Sequence, residues 1–382
     1  MDFRFSEEQE ELREMARAFL SEQCGPEALR AAMQTTRGYD PKVWEKIASE
    51  LGWPSIHVPE EFGGLGLGHV DLVVLLEATG EALLCAPFFS TVALAANTIL
   101  EVGTDAQKRE WLPTLAAGDQ TATLAFAEEN GRWDASGIET TATQDGDDFL
   151  LSGTKAWVVD GHTSDLVLVV ARTPRSTVED GLSVFAVPSG TAGMTRERLP
   201  TMDLTRRLAR IGLSDVRVGR EALVGEFKGA WPGLRRSLDL AAIALAAEQV
   251  GGAQRCLDLA VTYAGEREQF GRPIGSFQAI KHKCADMFVA VETARSALYY
   301  AACIADDGSD DLAINASLAK AWCSEAYFRC AADAIQIHGG VGFTWEYDPH
   351  LHFKRARASE SWLGTPDNHR ERIARLAIGL EE

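Results

Sequence analysis

The apolar residues of this chain change their period twice, and the order of those changes limits the fold more than any other feature. Up to about residue 120 they recur at helical spacing. Leu12, Met15, Ala16 and Phe19 follow the capping-box pair Ser6 and Gln9, and Gly25 and Pro26 stop the run. The same spacing fills 42–51, 71–84, 90–102 and 105–117, interrupted by the Gly/Pro loop GWPSIHVPEEFGGLGLG at 52–68. Between 121 and 230 short β-rich runs replace it: LLSGTKAWVV, DLVLVVA, LSVFAVP and DVRVG, separated by Gly, Asp and Pro. Helical runs then return at 233–266, 277–305 and 312–338, long enough for a four-helix arrangement packed by Ala, Leu and Ile.

Helix, sheet and helix in blocks predict an α+β multidomain chain and exclude the βαβ alternation of a doubly wound nucleotide fold. The expected division is an N-terminal α-helical domain over 1–120, a central β domain, barrel-like, over 121–230, and a C-terminal α-helical bundle over 231–382. GGLGLG at 63–68 has neither the G-x-G-x-x-G spacing nor a preceding strand, so any dinucleotide is bound in another way.

At 382 residues and 46% hydrophobic content the chain can bury a large core. A net charge of -19, from 56 acids against 37 bases, argues against nucleic acid as a partner and leaves any anionic ligand to local charges such as Arg267 and Lys281. Seven cysteines stand singly at 24, 85, 256, 284, 303, 323 and 330, with no C-x-x-C pair, so neither a metal site nor a disulfide framework is expected. The N-terminus MDFRFSEEQEELREM is acidic, and no stretch reaches the roughly 18 apolar residues of a membrane span. The expectation is a cytoplasmic protein with no membrane partner.

Two C-terminal segments are more specific. REQFGRPIGSFQAIKH (267–282) sets an arginine and an aromatic beside a Gly–Pro break after a long apolar helix, with Gln278 and His282 one turn apart in the next one. QIHGGVGFTWE (336–346) carries paired glycines. Together they resemble the C-terminal half of the acyl-CoA dehydrogenase family, and the likeness runs nearly end to end. In that family the R-x-x-F-G arginine and phenylalanine and the Q-x-x-G-G-x-G glutamine reach a neighbouring subunit's FAD. The resemblance therefore implies cofactor-binding roles for Arg267, Phe270, Gln278, Gln336, Gly339 and Gly340. The chemistry suits them: a guanidinium donates two parallel bonds to a pyrophosphate, and glycines admit a close approach. His338 reads as a packing or capping residue.

The half of the flavin site that a subunit builds for itself matches less well. Relatives carry T-E-P-x-x-G-S-D, whose threonine and serine contact the flavin and pyrophosphate; FAEENGRWD (126–134) puts Ala127 and Trp133 there and keeps Glu128 and Asp134. Relatives also carry K-x-W-I-T-N-G. KAWVVDG (155–161) keeps Trp157, which the resemblance makes a flavin-stacking residue, but has Val159 for the hydroxyl, and valine cannot donate that bond.

The family reaction is α,β-dehydrogenation of an acyl-CoA thioester, with a glutamate as base. In most relatives it stands in a Y-E-G-T stretch, where SWLGT (361–365) has Leu363. In a minority it stands in D-L-E-R, where SLDLAA (237–242) has Ala241 for the glutamate and Ala242 for the arginine. Thr365 of the first stretch is carried over as cofactor-binding, and Asp239 of the second as the residue beside the CoA arm. Glu248 is the strongest substitute base, on the face of Ala241 but about 10 Å further along the helix. Its ordinary alternative is a paired acid within the bundle. Glu346 and Glu360 are weaker substitutes.

The resemblance thus implies the degenerate subunit of a heteromeric, FAD-dependent acyl-CoA dehydrogenase, as in actinobacterial enzymes that pair a catalytic chain with a degenerate one, several acting on CoA thioesters of steroid side chains or other bulky acids. It implies an acyl-CoA substrate, a catalytic acyl-CoA dehydrogenase subunit as partner, and an electron-transfer flavoprotein as acceptor. Two alternatives stay open: a self-sufficient homotetramer using Glu248, and a non-enzymatic scaffold.

Overall fold

The computed structural model describes residues 6–176 and 179–379. Its helices are α1 (Glu7–Gln23), α2 (Pro26–Gln34), α3 (Pro41–Glu45), α4 (His69–Glu81), α5 (Asn97–Val102), α6 (Asp105–Ala116), α7 (Trp231–Glu266), α8 (Gln278–Asp306), α9 (Leu312–His338), α10 (Pro349–Ser361) and α11 (Pro366–Ala377). The first begins where its sequence says it must. Ser6 Oγ accepts from the Gln9 amide at 3.2 Å and Gln9 Oε1 accepts from the Ser6 amide at 3.1 Å, a reciprocal cap. Pro26 ends one helix by opening the next, where its missing N–H costs nothing.

Two helical expectations are modified. Lys46–Glu50 and Phe89–Ala96 wind as wider π-helical turns, next to α3 and α5 respectively. Phe89–Ala96 is buried along its whole length, so its winding follows its packing rather than local propensity.

The middle of the chain forms a sheet of β1 (Ala122–Ala125), β2 (Thr141–Asp145), β3 (Asp148–Val159), β4 (Leu166–Arg172), β5 (Leu182–Pro188), β6 (Met194–Arg198), β7 (Leu208–Val218) and β8 (Leu223–Val224). The spatial order is β6-β7-β3-β2-β4-β5-β8, with β1 beside β4. Phe149, Val169, Phe185, Ile211 and Val216 are among the side chains packed in its core. The long pair β3 and β7 shifts register twice, between Leu151 and Gly153 and between Lys155 and Val158. At the first shift Gly153 has φ 151°, and a Cβ there would lie 2.6 Å from Thr140 Oγ1, so no side chain fits.

The chain gathers into two compact units. One comprises Met1–Ala31, His69–Leu84 and Ala242–Glu382; the other comprises Ala32–Gly68 and Cys85–Ala241, with the sheet. In the first, α8, α10 and α11 pack on α9, and α4 packs on α8. A Cβ on Gly80 would lie 2.1 Å from the Glu248 carbonyl oxygen, and one on Gly251 would lie 1.8 Å from that of Glu77, so α4 and α7 cross backbone to backbone. Nearby, Arg295 of α8 donates two bonds to Glu77, at 3.0 and 2.8 Å, and Tyr299 a third at 2.6 Å. None of the described helices is long and apolar enough to cross a membrane.

Candidate functional site

In the sheet-bearing unit the two flavin-type stretches lie side by side. The Ala156 amide donates to the Ala127 carbonyl at 2.9 Å, and Lys155 Nζ donates to the Phe126 carbonyl at 3.0 Å and to Glu128 Oε1 at 2.7 Å. Glu128 also accepts from the amides of Glu139 and Thr140, both at 2.9 Å. Burial opposes its ionisation, yet the charge and hydrogen bond of Lys155, with the Thr140 amide, outweigh burial and keep the carboxyl below its usual value. Burial pulls Lys155 down to about 8 against that attraction. The family resemblance marked Glu128 and Lys155 only as motif letters and did not show that they are one another's partners.

The second register shift of β3 re-aims Trp157. Lys155 pairs with Ile211 and Val158 with Ala209, so Ala156 and Trp157 together face Arg210. Trp157 takes φ 59° and is 42% exposed, which is not the behaviour of a core tryptophan. Around it the expected hydroxyls are absent. Ala127 and Val159 are buried, and Trp133 stacks on Phe126 with ring centroids 5.8 Å apart. Asp134 caps a short 3-10 turn through the Ser136 amide. Asp239 is buried on the first part of α7 and is not a free carboxylate.

The other unit presents the second set. After α7 the chain makes a two-residue hairpin, Glu268–Gln269 against Arg272–Pro273, whose turn residues Phe270 and Gly271 have φ 56° and 74°. Such a turn favours Asn-Gly; here a phenylalanine occupies the strained position and is 92% exposed. The Arg267 guanidinium is exposed and makes no hydrogen bond or ion pair among the described residues. Gln278, the first residue of α8, and Gln336, in the last turn of α9, are also exposed. Gly339 takes φ 65° and ψ -142°, a conformation open only to glycine, and a Cβ on Gly339 or Gly340 would meet nothing within 4 Å. Tyr263, one turn before Arg267, stacks on His338 at 4.3 Å, so the hairpin and the glycine pair share one end of this unit. His338 Nδ1 donates to the Ala334 carbonyl at 2.7 Å, so this histidine packs and caps.

The base positions hold no carboxylate. Ala241 is buried on α7, and Leu363 is buried between α10 and α11 with φ 57°. Of the substitutes, Glu248 is buried and is not a free carboxylate. Glu360 pairs with Arg357. Glu346 is exposed, and its hydrogen bond with Thr344 keeps it below its usual value. Thr365 caps α11 in a reciprocal box with Asn368. Among the described residues, three of the eight non-glycine residues with left-handed backbones, Trp157, Phe270 and Leu363, stand at the positions singled out by motif.

Comparison with known proteins agrees along the whole length. The acyl-CoA dehydrogenase N-terminal, middle and C-terminal domain families match residues 6–119, 123–216 and 231–378. The chain belongs to the acyl-CoA dehydrogenase family. It is 37% identical over 371 residues to acyl-CoA dehydrogenase IpdE2 of Mycolicibacterium smegmatis, covering 97% of this chain and 98% of that one. Butyryl-CoA dehydrogenase of Megasphaera elsdenii superposes with a TM-score of 0.91 at 28% identity, over 99% of this chain and all of that one. A chain of the ChsE4-ChsE5 complex of Mycobacterium tuberculosis superposes with a TM-score of 0.90 at 29% identity, over the full length of both.

Family membership makes this an oxidoreductase chain of the acyl-CoA type, and the family's cofactor is FAD. The donor set of the α7–α9 unit fits such a group: a free guanidinium, two free amides and an open glycine pair at one end. The sheet unit offers an exposed indole and an apolar wall in place of hydroxyls.

Proposed function

We propose that this chain is the degenerate subunit of a heteromeric acyl-CoA dehydrogenase and lends half of an FAD site to a catalytic partner chain. The observation that carries the reading is an asymmetry. Arg267, Phe270, Gln278, Gln336, Gly339 and Gly340 are exposed and make few demands on their own chain, whereas Ala127, Trp133 and Val159 stand where the family has flavin-site hydroxyls, and Ala241 and Leu363 stand at both positions of its base. In a homotetramer each site needs both halves. In a heteromer one chain can lose its own half without cost. The ChsE4-ChsE5 complex, a structural neighbour named for two chains, supports the precedent.

In this reading Arg267 grips the pyrophosphate in a charge-assisted fork, and Gln278 and Gln336 supply neutral donors. The glycine pair admits the cofactor backbone, and Phe270 covers it from water. Trp157, Thr365 and Asp239 are the remaining contacts on this chain. The partner's glutamate removes the α-proton of the thioester as the carbon–carbon double bond forms. A bound FAD would supply the hydride acceptor for the β-hydrogen, with an electron-transfer flavoprotein as the class of acceptor that would take up its electrons. The domain limits 1–120, 121–230 and 231–382 and a cytoplasmic location belong to the same proposal.

The test is flavin content. The chain alone is expected to purify nearly colourless, and with its catalytic partner as a yellow complex of about two flavins per four chains. Full occupancy in the lone chain overturns the reading and favours a homotetramer. A colourless complex favours the scaffold.

A further inference from the structure

The turn between α10 and α11 is unusual for what it costs. Leu363 and Gly364 are consecutive left-handed residues, with φ 57° and 100°. Glycine adopts that backbone freely, but a leucine there is strained and persists only where its surroundings over-determine it.

Two buried side chains hold the turn. Lys320 of α9 has no exposed surface, and its Nζ donates to the carbonyls of Glu360 and Gly364, both at 3.2 Å, and to Ser324 Oγ at 2.9 Å. Ser324 donates its own proton to Gln249 Oε1 of α7 at 3.1 Å, and Gln249 Nε2 donates to Ser359 Oγ of α10 at 3.1 Å. From the other side His369 Nε2 donates to the Leu363 carbonyl at 2.9 Å. The carbonyls of 360, 363 and 364 are therefore all taken by side chains from α9 and α11.

A buried lysine is an expensive way to fill space, since an apolar side chain of the same length carries no desolvation cost. The Glu360 carboxylate does not offset that cost by direct contact, because it pairs with Arg357. Burial lowers Lys320 to about 7, and the grip works in both protonation states. The ammonium donates all three bonds; the neutral amine keeps two hydrogens for the two carbonyls and gives up only the bond to Ser324, whose own proton goes to Gln249.

We propose that Lys320 is the positioning residue of this turn, gripping Glu360 and Gly364 so that residue 363 keeps its left-handed backbone whatever its side chain. His369 serves the same turn from the α11 side. The inference concerns this chain's own residues and stands independently of the partner-subunit reading.

The test is hydrogen exchange on the full chain in a double-mutant cycle of Lys320→Met and Leu363→Gly. In the parent background Lys320→Met is expected to speed exchange of the Thr365, Asn368 and His369 amides by about tenfold or more, leaving the amides of the buried α8 residues Met287, Val291, Ala294 and Leu298 unchanged. With glycine at 363 there is no strain to release, and the same substitution is expected to change those amides by less than about threefold. An equal effect in both backgrounds, or none in the parent, overturns the proposal; the first outcome is what a merely space-filling lysine would produce. Should Lys320→Met fail to fold, Lys320→Gln keeps two donors and is expected to show a smaller rise with the same dependence on residue 363. Parent-like exchange in Lys320→Gln, or no dependence on residue 363, is then the contrary result.

Discussion

Lys155 and Glu128 form an ion pair of 2.7 Å with both side chains buried, tying the strand that carries Trp157 to the stretch that carries Ala127. Removing one partner leaves an uncompensated charge in the interior. Glu128→Gln is expected to cost about 3–5 kcal/mol in urea denaturation, and the Glu128→Gln, Lys155→Met pair less than the sum of the two single changes. Additive losses would mean the two groups are held independently.

Arg267 has no partner among the described residues. Arg267→Ala is therefore expected to leave thermal stability of the lone chain within about 0.5 kcal/mol of the parent. In the assembled enzyme it is expected to weaken FAD retention by about 2–4 kcal/mol, because a charge-assisted fork is lost. Unchanged flavin content on dilution would show Arg267 to be a plain surface charge.

Glu248 is buried and is not a free carboxylate. For a silent subunit, Glu248→Gln is expected to leave turnover of the assembled enzyme within a few-fold of the parent, whereas loss of a true base costs roughly 10²–10⁴. A fall of that size with flavin content intact would make Glu248 the base. Leu363→Glu is expected to give the lone chain no activity with an artificial electron acceptor, since Ala127 and Val159 still lack hydroxyls.

Two histidines set an acid limit. His352, whose Nδ1 lies 3.0 Å from the Tyr327 hydroxyl, and His369 are both pushed down to about 3, chiefly by burial and then by nearby cationic groups, Arg255 for the first and Lys320 for the second. Their folded values lie below the unfolded value of 6.5, so the unfolded chain binds more protons between those limits. The stability they contribute is complete above pH 6.5 and is lost as pH falls toward 3, at up to about 1.4 kcal/mol per pH unit for each. Urea titrations at pH 7 and pH 5 on the parent and on His352→Gln are expected to show a shallower loss in the variant. Equal slopes would mean that His352 is solvated when the chain is folded.

The hairpin shows how far residue order can be read. Gly271 and Pro273 marked the break after α7, and the R-x-x-F-G spacing marked Arg267 and Phe270, but nothing in the letters shows that Phe270 stands out into solvent on a left-handed backbone. The same holds at Trp157, where a bulge that depends on pairing with β7 turns a residue of ordinary strand sequence outward. Glu248 was legible as an acid inside an Ala-rich run, and hence as buried, because burial follows helical periodicity.

What the sequence by itself determined is local: the order of helix, sheet and helix, the cap at Ser6, the stop at Pro26, and the motif letters that identify the family. These depend on residues within a few positions of one another, where backbone sterics and side-chain period act directly. What only the tertiary structure decided are the contacts across the chain: Lys155 on Glu128, Arg295 on Glu77, and Lys320 on the carbonyl of Gly364. Each joins residues separated by between 27 and 218 positions. Such partners are chosen by where packed elements bring a buried charge, and a buried charge takes whatever acceptor the fold delivers, because leaving it alone costs more than any local preference can outweigh.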